Sequence, residues 1–179
     1  MPGRRPEDAG GFVARLSGGD LRAKGEADAV AAEVLGERDK LAQLFEALAC
    51  DDPIVRSRAS HAVVTVSRAQ PDWLTPHKPA LLAILANDGQ QEVLWHVTQV
   101  VPRLDLEGDE VSAAYAVFER QWRESRSRFQ KTFALQALAD LAERYPDRVV
   151  PVRALVEEGL RSEFPAVAAR ARKLIKRLG

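Results

Sequence analysis

Cysteine is almost missing from this chain of 179 residues: Cys50 stands alone. One thiol excludes an internal disulfide framework and a thiolate metal cluster, and no basic group is placed beside it to make it a nucleophile. Histidine is scarce as well. His61, His77 and His96 show no HxxxH or HxxE spacing, so no zinc set can be read. Net charge is absent, since 26 Lys and Arg balance 26 Asp and Glu. That balance argues against a surface given over wholly to nucleic acid or anionic membrane, although it leaves local patches open. No apolar run approaches the ~20 residues of a membrane span. The N-terminus, MPGRRPEDAGG, has basic residues with no apolar stretch behind them and does not read as a secretory leader. Gly10-Gly11 and Gly18-Gly19 are isolated pairs rather than a phosphate loop, and no serine sits in a nucleophile elbow. Glu157 and Glu158 read as a solvated face, and Asp51 and Asp52 as a helix start. The expectation is a cytoplasmic chain that is not an enzyme, with no catalytic residue, cofactor, metal site or membrane contact.

Strand-type alternation is the other thing lacking; what fills its place is helical periodicity. Hydrophobic residues are 46% of the chain, enough for a sizeable core. In Asp51 to Ala69, the apolar positions Val55, Ala59, Ala62, Val63, Val66 and Ala69 fall on one helical face. Asp52 before Pro53 suits an N-cap followed by proline in the first turn. The pattern returns at Val93, Val97, Val100, Val101 and Leu104, at Ala134, Ala137, Leu138 and Leu141, and at Val167, Ala171, Leu174, Ile175 and Leu178. The steps are 38, 37 and 37 residues, and a weaker copy lies 32 residues upstream at Ala27, Val30 and Val34. A sustained period of this length predicts stacked helical hairpins, with an ordinary globular bundle, which has no reason to repeat its apolar register, as the alternative.

Punctuation sets the expected boundaries. Residues 1–10 read as a flexible tail and 11–179 as one domain. Helices are expected over Phe12 to Leu16, Asp20 to Leu35, Arg38 to Ala49 and Asp51 to Ala69. A further helix begins near Pro79 and runs through Leu85, and the next covers Gln90 to Leu104, with Pro102 kinking its last turn or ending it early. Asn87-Asp88-Gly89 marks a turn. Gly108-Asp109 opens a helix through Trp122, Phe129 to Arg144 and Val149 to Leu160 follow, and Ser162 or Glu163 caps Pro165 to Leu178.

DDPIVRSRA, with Asp51, Val55, Arg56 and Ala59 at their spacing, resembles the second-helix motif of HEAT repeats. The resemblance covers roughly residues 12–178 as architecture, and the motif itself is clear once. The third repeat has Asn87-Asp88 but Leu94 where Arg56 sits, and the fifth has Val167 but Ala168. The resemblance implies an all-α, right-handed α-α superhelix of HEAT-like helical hairpin repeats whose second helices line a concave face. It also implies that Arg56 pairs with an Asp of its own or the adjacent repeat. Such surfaces usually bind another macromolecule.

Given the core register, the next face round each second helix looks into the groove. That strip holds Arg58, His61 and Thr65, then His96, Gln99 and Arg103, then Phe133, Gln136 and Asp140, then Arg170, Lys173 and Arg177. Glu26, Ala29 and Glu33 are the first-repeat equivalents. The strip as a whole is acidic at its N-terminal end, at Glu26 and Glu33, and basic at its C-terminal end. The expected binding residues are Arg58, His61, Trp95, His96, Gln99, Arg103, Phe133, Gln136, Arg170 and Lys173. Trp95 reads as a packing residue or, if exposed, as an interface anchor. Phe118 to Lys131 mixes basic and aromatic residues, which suits phosphate or an acidic peptide, or else an ordinary solvated corner. The leading expectation is a non-catalytic module that grips a protein partner. The alternative is a nucleic-acid-binding protein resembling the HEAT-like glycosylases of DNA alkylation repair, with Trp95, Asp140, Arg103 and Arg170 near the lesion. A HEAT-like chromophore lyase ranks third.

Overall fold

The structure, a computed structural model, describes residues 11–21, 23–87 and 89–179. The expected tail and Asp88 of the expected turn lie outside the described residues. Among the described residues there is no strand, and the chain is all-α. It forms two compact units, Met1–Val100 and Val101–Gly179.

Unit 1 contains α1 (Phe12–Leu16), α2 (Ala27–Gly36), α3 (Leu41–Leu48), α4 (Pro53–Ala69), α5 (Lys78–Asn87) and α6 (Gln91–Val100). Its central helix is α4, which packs on α2, α3 and α6. The start of α4 follows the expectation: Asp52 Oδ1 accepts from the amides of Ile54 at 2.8 Å and Val55 at 3.4 Å, with Pro53 in the first turn. Val55, Ala59, Ala62, Val63 and Val66 are fully buried, as are Val93 and Val100 on α6. Ala69, expected in the core, is exposed in the last turn of α4. Arg56 holds Leu48 O at 3.3 Å and Gln90 Oε1 at 3.3 Å. Gln90 in turn donates to Pro53 O at 2.6 Å, which ties the start of α4 to the start of α6.

One expected helix starts late. Asp20 does not cap α2, which begins only at Ala27. Between α1 and α2, Gly18, Gly19 and Gly25 adopt φ of 73°, 77° and 53°, a left-handed region that glycine enters without penalty. The carbonyls of this loop turn inward to a side chain of α4 instead of forming a helical ladder.

Unit 2 contains α7 (Gly108–Glu124), α8 (Arg128–Arg144), α9 (Val149–Gly159) and α10 (Pro165–Arg177), preceded by a 3-10 turn over Val101–Arg103. The turn begins just before Pro102, which cannot donate to a helical ladder. Glu107 opens α7 with a capping box, its amide donating to Glu110 at 2.9 Å. Ser127 caps α8, accepting from the Gln130 amide at 3.3 Å. Neither Ser162 nor Glu163 caps α10: Phe164 holds that position without a side-chain bond, and Ser162 Oγ accepts from the Phe164 amide at 3.2 Å. Helix α8 is the spine, packed on α7, α9 and α10. Ala134, Leu138, Leu141, Val167 and Ala171 are fully buried. Ile175 is half-exposed, because α10 packs through Val167, Ala171, Leu174 and Leu178, one position round the helix.

Candidate functional site

Within each unit, two helices that hold most of the residues expected on the strip lie side by side. In unit 1, α4 and α6 run parallel, joined at Arg56–Gln90, Ser60–His96 and Arg68–Gln99. In unit 2, α8 and α10 run parallel, joined at Gln136–Arg170 and Asp140–Arg177. Arg58, His61, Trp95, His96 and Gln99 belong to unit 1; Arg103, Phe133, Gln136, Arg170 and Lys173 belong to unit 2.

Arg58 overturns its expectation. It is 5% exposed and does not line a surface. Its guanidinium donates to Leu16 O at 2.8 Å, Ser17 O at 3.3 Å, Asp20 O at 3.1 Å and Ala23 O at 3.0 Å. The loop is shaped around it: a Cβ on Gly25 would lie 2.8 Å from the guanidinium carbon, and one on Gly19 would lie 3.3 Å from Nη2. The planar fork has five N–H donors, and the loop supplies acceptors at matching angles.

His61 and His96 do come together. Their rings meet edge to face at 5.3 Å. His61 Nε2 donates to Asp28 Oδ1 at 3.0 Å, since a carboxylate only accepts. Ser60 Oγ donates to Ser57 O at 2.7 Å and sits 2.8 Å from His96 Nδ1. With its own proton committed, Ser60 accepts from His96 Nδ1–H and leaves Nε2 as the lone-pair nitrogen. Burial, with a smaller effect from His61, lowers the His96 pKa to about 4. Ser60 is fully buried and so is not a solvent-facing nucleophile. Asp28 and Ser60 were not among the expected strip residues. Asp28 stands one place from Ala29, the expected equivalent, and Ser60 one place from His61, so a one-residue shift in register hid both.

Trp95 is half-buried, and Gln99 donates to Trp95 O at 3.1 Å and accepts from Arg68 at 3.5 Å. The expected acidic end is already paired: Glu33 meets Arg15 and Lys40, and Glu26 meets Arg15 at 2.9 Å. Hydrogen bonds from Lys40, then Arg15, hold the Glu33 carboxyl below its ordinary pKa.

The basic end in unit 2 is only partly available. Arg170 donates to Gln136 Oε1 at 2.5 Å, and Gln136 donates to Asp140 at 2.6 Å. Arg177 bridges Asp140 at 3.0 Å and Glu143 at 2.6 Å. Lys173 is exposed, while Phe133 and Arg103 are half-buried, Arg103 in the 3-10 turn. Along the same side of α8, Phe129 is 49% exposed beneath Arg128, whose guanidinium lies 5.0 Å from the ring. In the basic-aromatic corner, Trp122 is 7% exposed and packs inward, and Lys131 stacks over it at 5.1 Å while donating to Trp122 O. Burial lowers the Lys131 pKa.

Among the described residues, no group of three or more His, Cys, Asp or Glu side chains is placed to hold a metal ion. None of the helices among them is long and apolar enough to cross a membrane. No protein-family model matches the chain, and no curated protein matches it. The fold is similar to that in a crystal structure of an engineered protein from the Northeast Structural Genomics Consortium. The two share 16% identity, with a TM-score of 0.63 over 93% of this chain and 77% of that one. At that identity the likeness is one of fold alone.

Proposed function

We propose that the chain is a non-catalytic binding module of the HEAT-like α-solenoid type, a right-handed superhelix of hairpin repeats that engages a protein partner in the cytoplasm. The observation that carries this reading is the side-by-side, parallel placement of α4 with α6 and of α8 with α10. Each pair turns a row of long, hydrogen-bonding and aromatic side chains away from its core. Such rows supply binding contacts, with a few aromatic anchors dominating the energy. Trp95, His61 and Gln99 form that row in unit 1; Phe133, Gln136 and Lys173 form it in unit 2.

The nucleic-acid reading has less behind it. Its set of Trp95, Asp140, Arg103 and Arg170 needs cations free for phosphate, whereas Gln136 joins Arg170 to Asp140. Capture of partners from the native cell, followed by hydrogen-exchange mapping, tests the protein-binding reading. Protection over α4 and α6, or over α8 and α10, is the expected result. Protection confined to α7 and α9 contradicts it, as does binding only to duplex DNA with a steep salt dependence.

A further inference from the structure

We infer that the start of α8 is a docking site for an amphipathic peptide segment of a protein partner, with apolar residues one turn apart flanked by carboxylates. This rests on the protein-binding reading above and names where the partner's anchor sits. Phe129 and Phe133 are one turn apart on the same side of α8, in line with Gln136 and Asp140. Phe129 leaves 49% of its surface in water, and Phe133 is half-buried. Two phenylalanines in succession on the open side of a helix make a continuous apolar step, and burying it is the main gain open to a partner.

Charge sets the flanks. Arg126 and Arg128 are exposed beside Phe129, and neither forms an ion pair among the described residues. Lys173, on the parallel neighbour α10, is likewise exposed and without an ion pair among the described residues. The helical dipole at the start of α8 adds a favourable field for a carboxylate. Arg170 and Arg177, by contrast, are committed to Gln136, Asp140 and Glu143.

The same side chains tell a peptide from a polyanion. Glu124 and Glu163 flank the corner, and Asp140 and Glu143 continue the row. A phosphate backbone presents its charge at every step and would meet these carboxylates. A peptide places its acids only where Arg126, Arg128 and Lys173 stand.

The test is selection of a random phage-displayed peptide library on the intact protein, with Phe129→Ser and Arg128→Glu as counter-targets. Both positions are exposed, and parent-like thermal unfolding of the two variants confirms that they fold. The expected result is enrichment of apolar residues spaced one turn apart with neighbouring Asp or Glu. The same peptides should bind Phe129→Ser at least about tenfold more weakly, the scale of losing one anchor. Arg128→Glu should weaken them chiefly through slower association. Peptides that enrich but bind Phe129→Ser as tightly as the parent overturn this inference and leave the protein-binding reading standing. Failure of any peptide to enrich overturns this inference, and the hydrogen-exchange map then decides the protein-binding reading separately. Tighter capture of a single-stranded oligonucleotide than of any selected peptide also overturns it, in favour of nucleic acid.

Discussion

The two units use arginine in opposite ways. In unit 1, Arg58 points from α4 into the protein and closes a loop by donating to four neutral carbonyls from a position 5% exposed. In unit 2, Arg177 points from α10 along the surface and meets two carboxylates, its side chain 39% exposed. A buried cation on neutral acceptors depends on geometry, and little screening reaches it. An exposed ion pair is screened and loses side-chain entropy on forming. Arg144, at the end of α8, lies between the two cases. It also donates to the carbonyls of Pro102 and Leu104, yet with its side chain 38% exposed and Asp105 3.6 Å away.

The first way to sharpen the comparison is to measure what the units share. Leu138 is fully buried on α8, and Leu138→Ala should lower unfolding stability by about 2–5 kcal/mol. A loss under about half a kcal/mol in urea titration would place Leu138 outside the core.

Arg58→Ala comes next. Hydrogen bonds to a charged group contribute about 1.5–3 kcal/mol each, but the loop carbonyls regain water when it opens, so the net expectation is about 2–4 kcal/mol. Arg58→Lys should recover less than half, because an ammonium group cannot reach Leu16 and Ala23 together as the fork does. A lysine variant as stable as the parent would show that charge, not the fork, holds the loop.

Histidine separates the units further, since His61, His77 and His96 all lie in unit 1. His96 is held at about 4 in the fold, against ~6.5 unfolded. The unfolded chain therefore takes up the proton first. His96's contribution is complete above pH ~6.5 and is lost as pH falls towards 4, by up to about 3 kcal/mol. Burial also lowers His77, stacked on Phe45 at 3.7 Å, and its contribution changes in the same direction. Unfolding titrations across this window should slope downward with acid, and His96→Gln should flatten the slope. An unchanged slope in that variant would remove His96 as the cause.

Helical periodicity made most of the fold legible. Apolar spacing placed α4, α6, α8 and α10, and Asp52-Pro53 marked the start of α4. Which helix carries each strip residue was mostly legible, but side-chain commitment was not. Arg58 stands three residues from His61, and nothing local distinguishes a surface arginine from one that organises a loop about 40 residues away. Gly18, Gly19 and Gly25 were the available signal: three glycines between two helical patterns mark a backbone bent around something. Gln136 and Asp140 were placed on the strip, but their bonds to Arg170 and Arg177 depend on the register of α10 against α8. Phe129 lay within the basic-aromatic segment, and only burial separated it from Trp122.

The smallest expected effect is Arg177→Ala, under about 1 kcal/mol, as for exposed ion pairs in general. A larger loss would mean that the pairs with Asp140 and Glu143 organise α10 rather than decorate it.

Urea unfolding of Arg58→Ala and Arg177→Ala beside the parent, at low salt and at about 1 M salt where the screening length is ~3 Å, tests the contrast most directly. The Arg58→Ala deficit should stay within about half a kcal/mol of its low-salt value, because its hydrogen bonds are buried. The Arg177→Ala deficit should vanish into the error of the fit. A salt-sensitive Arg58 deficit, or an Arg177 deficit of equal size at both salt concentrations, would contradict the assignment of one arginine to the loop and the other to the surface.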